Sequence, residues 1–465
     1  MTKLLSKNNA VQRSLILAGG GVRLAYHAGV LKALEEEGLS FNHVDGTSGG
    51  IFGTAMLASG ITPVEAGKRW RKLKLNGFMG IVPFKDAHFK TSRLFNGADG
   101  IKKAIFPGLG INIEKINANT DFDATFNVCN FSKKRVESIP HTIATIDHLI
   151  AGMSLPMFIP ATKIGNDWYT DAVWIKDANL TEAVNRGAQE IWLIWCIGNT
   201  PTYSHGRFHE YVDMIEISAN AGVINELDWI TQENNARQKE GLDAIKLYII
   251  KPEYPLPLDP AFFLKKIDAD TLINMGYADT KACLQQQNEA PVIIDAATAT
   301  VMKEYDATLH FRQQFYGNAF VGNVLQPVCF HLAFFIRKVG NEYVLQQFAS
   351  LELSKHDEVI SGYENKLVKS KRGELSGSFC VQYNGGVYQI YFIIQFSNTT
   401  DILLALDAKQ ATVSITDKGG KATSDVYYQP AWNRIKNVMY MYTDGNFSLI
   451  QKWKWKQALL NYLFE

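Results

Sequence analysis

The chain has 465 residues, 46% hydrophobic and 20% charged, a balance that excludes a disordered or fibrous protein. Its 47 basic and 46 acidic side chains leave a formal net charge of +1, which excludes the broad basic field that displaces counterions from nucleic acid. At this length one ordinary core does not suffice, so two domains are expected.

Residues 1–13 are polar and hold no apolar core of signal-peptide length, and no later run is long enough to span a bilayer. The expectation is a cytoplasmic protein that meets any lipid from the water side. Short apolar runs then alternate with helical patterns, as in a parallel sheet covered by helices, with strands expected at 14–18, 43–46, 125–130, 190–197 and 246–251. A helix is expected over 22–37, stopped by Gly38. Another should open at Thr62, where Pro63 takes the first helical position and Glu65 completes a capping box. The proline-rich stretch 252–260 suits a surface crossing before a last helix near 269–287. From about 305, β-branched and aromatic runs broken by Asn384-Gly385-Gly386 and Lys418-Gly419-Gly420 predict an antiparallel sandwich or barrel. The division is therefore 1–290, a linker at 291–304, and a β-rich domain at 305–465.

Five cysteines lie far apart with no C-x-x-C pair, which argues against a disulfide framework or a zinc site. No H-x-x-x-H or clustered Asp/Glu/His pattern appears, so neither metal nor cofactor is expected.

The sharpest chemical signal is Gly46-Thr47-Ser48-Gly49-Gly50, a G-x-S-x-G sequence at a strand-to-helix junction. A serine hydroxyl is a poor nucleophile and must be exposed on a tight turn beside a base. By itself the pattern serves a plain structural turn equally well. Upstream, Gly19-Gly20-Gly21 leads from the first strand into a helix, presenting backbone N–H groups suited to a phosphate or an oxyanion. A dinucleotide fingerprint fails on spacing, because Leu24 stands where the third glycine belongs. Arg23 is a candidate for steadying this loop or meeting an anionic head group, with a solvated helix charge as the plainer alternative.

"LILAGGGVRLAYHAGVLKALEEEG" followed by "VDGTSGG" resembles the opening of the patatin-like phospholipases. "SLPMFIPA" and then Trp168-Tyr169-Thr170-Asp171-Ala172-Val173 extend the resemblance, which runs from about 14 to about 285. It implies a three-layer α/β domain with a mainly parallel sheet. It also implies a Ser48–Asp171 dyad without histidine, and an oxyanion hole from Gly19, Gly20 and Gly21. The implied activity is hydrolysis of phospholipid, lysophospholipid or another acyl ester. Two positions depart from the family pattern: Ala172 replaces a glycine, as does Leu24, and each has the capacity to tilt the geometry.

An α/β-hydrolase also uses G-x-S-x-G but requires a later histidine; His205, His209, His310, His331 and His356 sit in no convincing motif. The Trp453/Trp455 and Lys452/Lys454/Lys456 alternation suits a membrane interface, an aromatic-faced strand or a closing helix. A catalytically weak lipid-binding or scaffold protein is the rival to the enzyme, with Ala172 as its first symptom.

Overall fold

The computed structural model describes residues 4–73, 97–156, 159–198, 207–256, 267–287, 299–321, 324–354, 358–403, 409–417, 422–444 and 449–465. The Lys418-Gly419-Gly420 turn, His205, His356, most of the proposed linker and the Met157-Phe158 part of "SLPMFIPA" lie outside them. Two compact units emerge, Met1–Phe263 with Gln286–Lys303, and Leu264–Gln285 with Glu304–Glu465.

In the first unit, eight strands make one sheet: β1 Arg13–Leu17, β2 His43–Thr47, β3 Asp123–Asn130, β4 Arg135–Pro140, β5 Thr162–Ile164, β6 Asp167–Asp171, β7 Glu190–Ile194 and β8 Lys246–Ile250. Their order is β5-β6-β3-β2-β1-β7-β8, with β4 paired to β3. The five strands expected from the sequence pair in parallel, as near-continuous apolar runs buried on both faces should. The antiparallel strands β4, β5 and β6 at one end of the sheet escaped the sequence reading, being short and weakly alternating. Ile16, Leu193 and Trp195 are fully buried in this unit's core.

The helices α1 Ala25–Glu36, α2 Gly50–Ala58 and α3 Pro63–Lys72 follow the start and stop signals. Gly38 takes φ +72° just past α1, the left-handed turn that ends helices. At α3 the Thr62 hydroxyl accepts from Glu65 N–H at 3.2 Å. Thr62→Ala should therefore lower stability by about 1 kcal/mol, read as a shift in the urea midpoint with an unchanged slope. A helix of 33 residues, Arg207–Lys239, had not been expected, and His209 belongs to it rather than to a polar loop.

The second unit is a ten-stranded antiparallel sheet. It begins with β9 Ala307–Val321, β10 Val324–Val339 and β11 Glu342–Leu353. Asn384 and Gly385, at φ 47° and 75°, make the two-residue hairpin turn whose geometry demands positive φ at both positions. The C-terminal tryptophan–lysine stretch is a helix, Leu449–Asn461, whose Leu459 and Leu460 are fully buried in this unit's core. None of the five cysteines forms a disulfide. Among the described residues no helix is long and apolar enough to cross a membrane.

Candidate active site

β1 and β2 are parallel neighbours, so the glycine loop and the serine turn leave the sheet side by side at its carboxyl edge, where open α/β sheets bind ligands. Ser48 follows β2 directly and has φ 52°, one of few non-glycine residues with positive φ, and is thus held in a strained turn. Gly50 permits this turn: a Cβ there would be driven into the Leu17 carbonyl oxygen at the end of β1.

Register brings in the aspartate. Thr47 pairs with Asn127, and the next residue of β3, Val128, pairs with Asp171 on β6. Ser48 and Asp171 therefore sit at one level of the sheet with β3 between them. Asp171 N–H donates to the Ser154 carbonyl at 3.1 Å, and Ser154 Oγ donates to Ile150 O, which pins the "SLPMFIPA" segment beneath it. Asp171 Oδ1 accepts from Val173 N–H at 2.9 Å.

Asp171 is fully buried. Burial pushes its pKa up to about 7, although the Ser48 hydroxyl and the Val173 N–H both favour the charged form. Asp171 Oδ2 has no hydrogen-bond partner among the described residues. Catalytic hydrogen bonds commonly tighten only when substrate is bound. No imidazole among the described residues is hydrogen-bonded to either side chain. His27, on α1, is buried with neither ring nitrogen bonded, and burial lowers its pKa to about 3.

In the glycine loop the three residues differ. Gly19 N–H donates to both carboxyl oxygens of Asp177, at 3.1 and 3.0 Å. The amide that was expected to face an oxyanion is thus directed at a carboxyl. Among the described residues no hydrogen bond from the Gly20 or Gly21 amide is found, and these two remain as candidate donors. Gly19 instead backs the serine, because a Cβ on it would meet Ser48 Cβ at 3.0 Å.

Arg23 is buried rather than solvated, and its Nε donates to the Gly20 carbonyl at 2.9 Å. Its charge opposes the upward pull of burial on two carboxyls that the sequence reading missed, Asp177 and Glu216. Burial, then the neighbouring Asp171, hold Asp177 well above the usual carboxylate range; burial raises Glu216 to about 7. Asp177 follows Lys176 in a short polar step after Asp171 that carries no motif; Glu216 comes from the helix that was not foreseen.

Neither departure distorts the site. Ala172 opens a short right-handed turn and is not among the positive-φ residues, so no glycine conformation is demanded there. Leu24 is buried, and its methyl groups lie where a Cβ on Gly49 would fall, filling the space behind the serine turn.

Residues 15–184 match the patatin-like phospholipase family. The lysophospholipase NTE1 of Coccidioides immitis (strain RS) is 30% identical over 188 residues, 39% of this chain and 11% of that protein. Patatin-like phospholipase domain-containing protein 6 of Homo sapiens is 35% identical over 85 residues, 18% of this chain and 6% of that protein. The chain thus spans only a small fraction of the length of these relatives. The crystal structure of VipD from Legionella pneumophila aligns over 60% of this chain and 67% of that one. At 11% identity and a TM-score of 0.29 that likeness carries no argument.

Proposed function

We propose that the chain, whose residues 15–184 match the patatin-like phospholipase family, is a serine acyl hydrolase acting on lipid esters through Ser48 and Asp171. The observation that carries this reading is a buried carboxyl with its pKa raised to about 7, facing a serine held at positive φ. An aspartate at its ordinary pKa would be a poor base, whereas one near neutrality is matched to the working pH.

In the proposed sequence Ser48 Oγ attacks the ester carbonyl while its proton passes to Asp171 Oδ2. The Gly20 and Gly21 amides receive the negative charge that builds on the carbonyl oxygen. Arg23 holds the Gly20 carbonyl, and Asp177 holds the Gly19 amide, so the loop is oriented before substrate arrives. Asp171 returns the proton to the departing alkoxide as the C–O bond breaks, leaving Ser48 acylated. Water then enters, loses its proton to Asp171, and attacks the acyl carbon; that proton returns to Ser48 Oγ as fatty acid leaves.

The relatives named as lysophospholipases favour phospholipids or lysophospholipids as the substrate class. A fluorophosphonate probe should label the chain at a single residue, mapped by mass spectrometry to Ser48. Absence of labelling, or a label elsewhere, would sink the reading.

A further inference from the structure

The second unit carries a cluster distinct from the residues assigned to ester hydrolysis. Cys329 and His331 stand two residues apart on β10, so both side chains leave the same face of the sheet. Glu352 on β11 pairs directly with Cys329. On the other side, β9 pairs Tyr316 with Cys329 and Gln314 with His331. His331 Nε2 lies 2.7 Å from Glu352 Oε2, and one donor atom from each of Cys329, His331 and Glu352 falls within 4.8 Å of the other two. Cys329 is fully buried, while the His331 and Glu352 side chains are 20% and 32% exposed, which leaves an ion a way in from solvent.

We propose that Cys329, His331 and Glu352 form a binding site for a divalent transition-metal ion of the zinc class. A thiolate, an imidazole and a carboxylate make a donor set that zinc accepts, whereas calcium and magnesium take oxygen ligands. Bonds of about 2.0–2.3 Å place tetrahedral donors about 3.3–3.6 Å apart, so side-chain rotation of about 1 Å closes the cluster on an ion. As placed, Gln314 Nε2 lies 3.0 Å from His331 Nδ1, and Asn433 Nδ2 donates to Gln314 Oε1 and the Tyr316 hydroxyl at 3.1 and 3.0 Å; for His331 Nε2 to bind an ion, the Gln314 and Asn433 amides turn over so that Gln314 Oε1 accepts from Nδ1–H. Outer contacts of this kind fix ligand geometry in metal sites. Metal ions compete with protons for such ligands, so affinity falls as pH is lowered. A fourth position is left for water or an incoming donor.

The test uses the full chain, stripped with a chelator and titrated with Co²⁺ alone at pH 8. One equivalent should bind with a thiolate-to-cobalt charge-transfer band in the near ultraviolet, and Zn²⁺ should displace it. Cys329→Ser should abolish the band and Cys380→Ser should retain it. Should Cys329→Ser fail to fold, Glu352→Gln serves instead, keeping the band while weakening affinity by at least about 10-fold. The absence of a charge-transfer band in the parent chain, a band that survives Cys329→Ser, or an unchanged affinity in Glu352→Gln would overturn the proposal. Ester hydrolysis is not read at any step, so the outcome is independent of the Ser48 chemistry.

Discussion

At pH 8 an Asp171→Asn chain is expected to be hydrolytically silent and yet harder to unfold than the parent. The amide keeps the oxygen that accepts from Val173 N–H, so the local turn survives. What it loses is basicity, and general-base removal typically costs on the order of 10²–10⁴-fold in rate. The gain in stability follows from burial. A folded-state pKa of about 7 lies above the ordinary 3.8, so between these values the folded chain holds a proton that the unfolded chain has released. Stability therefore falls as pH rises through that window, by on the order of 4 kcal/mol once pH exceeds 7. The uncharged amide of the variant would escape this penalty. Urea denaturation should show the variant more stable at pH 8 and the gap closing toward pH 3, below the ordinary 3.8, where the parent carboxyl is mostly neutral in both states. The same ionisation sets activity: kcat/KM of the parent should climb as pH approaches 7 and level off above it. An equal stability difference at both pH values would remove the buried base from the account.

Substitution of Ser48 should have the larger kinetic effect. Loss of the nucleophile in a serine hydrolase costs about 10⁶-fold in kcat, so Ser48→Ala and Ser48→Gly should both fall to background on a p-nitrophenyl ester and both refuse the fluorophosphonate label. They should differ in stability. Alanine inherits the positive φ of 52° at this turn, a conformation that costs an L-residue about 1–2 kcal/mol and glycine very little. Part of glycine's advantage is offset by the greater freedom it gives the unfolded chain, about 0.4–1 kcal/mol. Ser48→Gly should therefore unfold at a slightly higher urea concentration than Ser48→Ala. Residual turnover in either variant, well above background, would place the nucleophile elsewhere.

The parts of the site that could be read from the sequence are those fixed by local sterics. Gly46 and Gly50 mark places where backbone approaches backbone, Gly19 and Gly20 places where side chains leave no room for a Cβ, and Gly21 a positive φ of 60°; such demands leave their trace in consecutive residues. Asp171 was singled out because its order and surroundings repeat a known pattern, not because any spacing required it. Asp177 and Glu216 could not be found this way. Their roles arise where the loop, the turn after β6 and the helix Arg207–Lys239 meet, and nothing local in "KDAN" or "DMIEIS" marks that meeting. The long helix was itself readable: Tyr211, Ile215, Ala219, Val223 and Leu227 recur every four residues, the stripe expected of a buried helix face. In the second unit the strands announced themselves through alternation and the Asn384-Gly385 turn. By contrast, Cys329-Phe330-His331 acquires its partner only when β11 brings Glu352 alongside.

The chain passes from the first unit to the second after Phe263, returns after Gln285, and crosses once more after Lys303. Neither unit is therefore a contiguous stretch of polypeptide, and a protease nicking any single crossing would leave the halves tethered by the other two. A fragment ending near residue 300 would keep the helix Ala269–Gln287 but remove the sheet whose Ser350 and Tyr363 meet its Asp270 and Tyr277. Fusion, excision or swapping of the β-rich unit in the laboratory must carry that helix along.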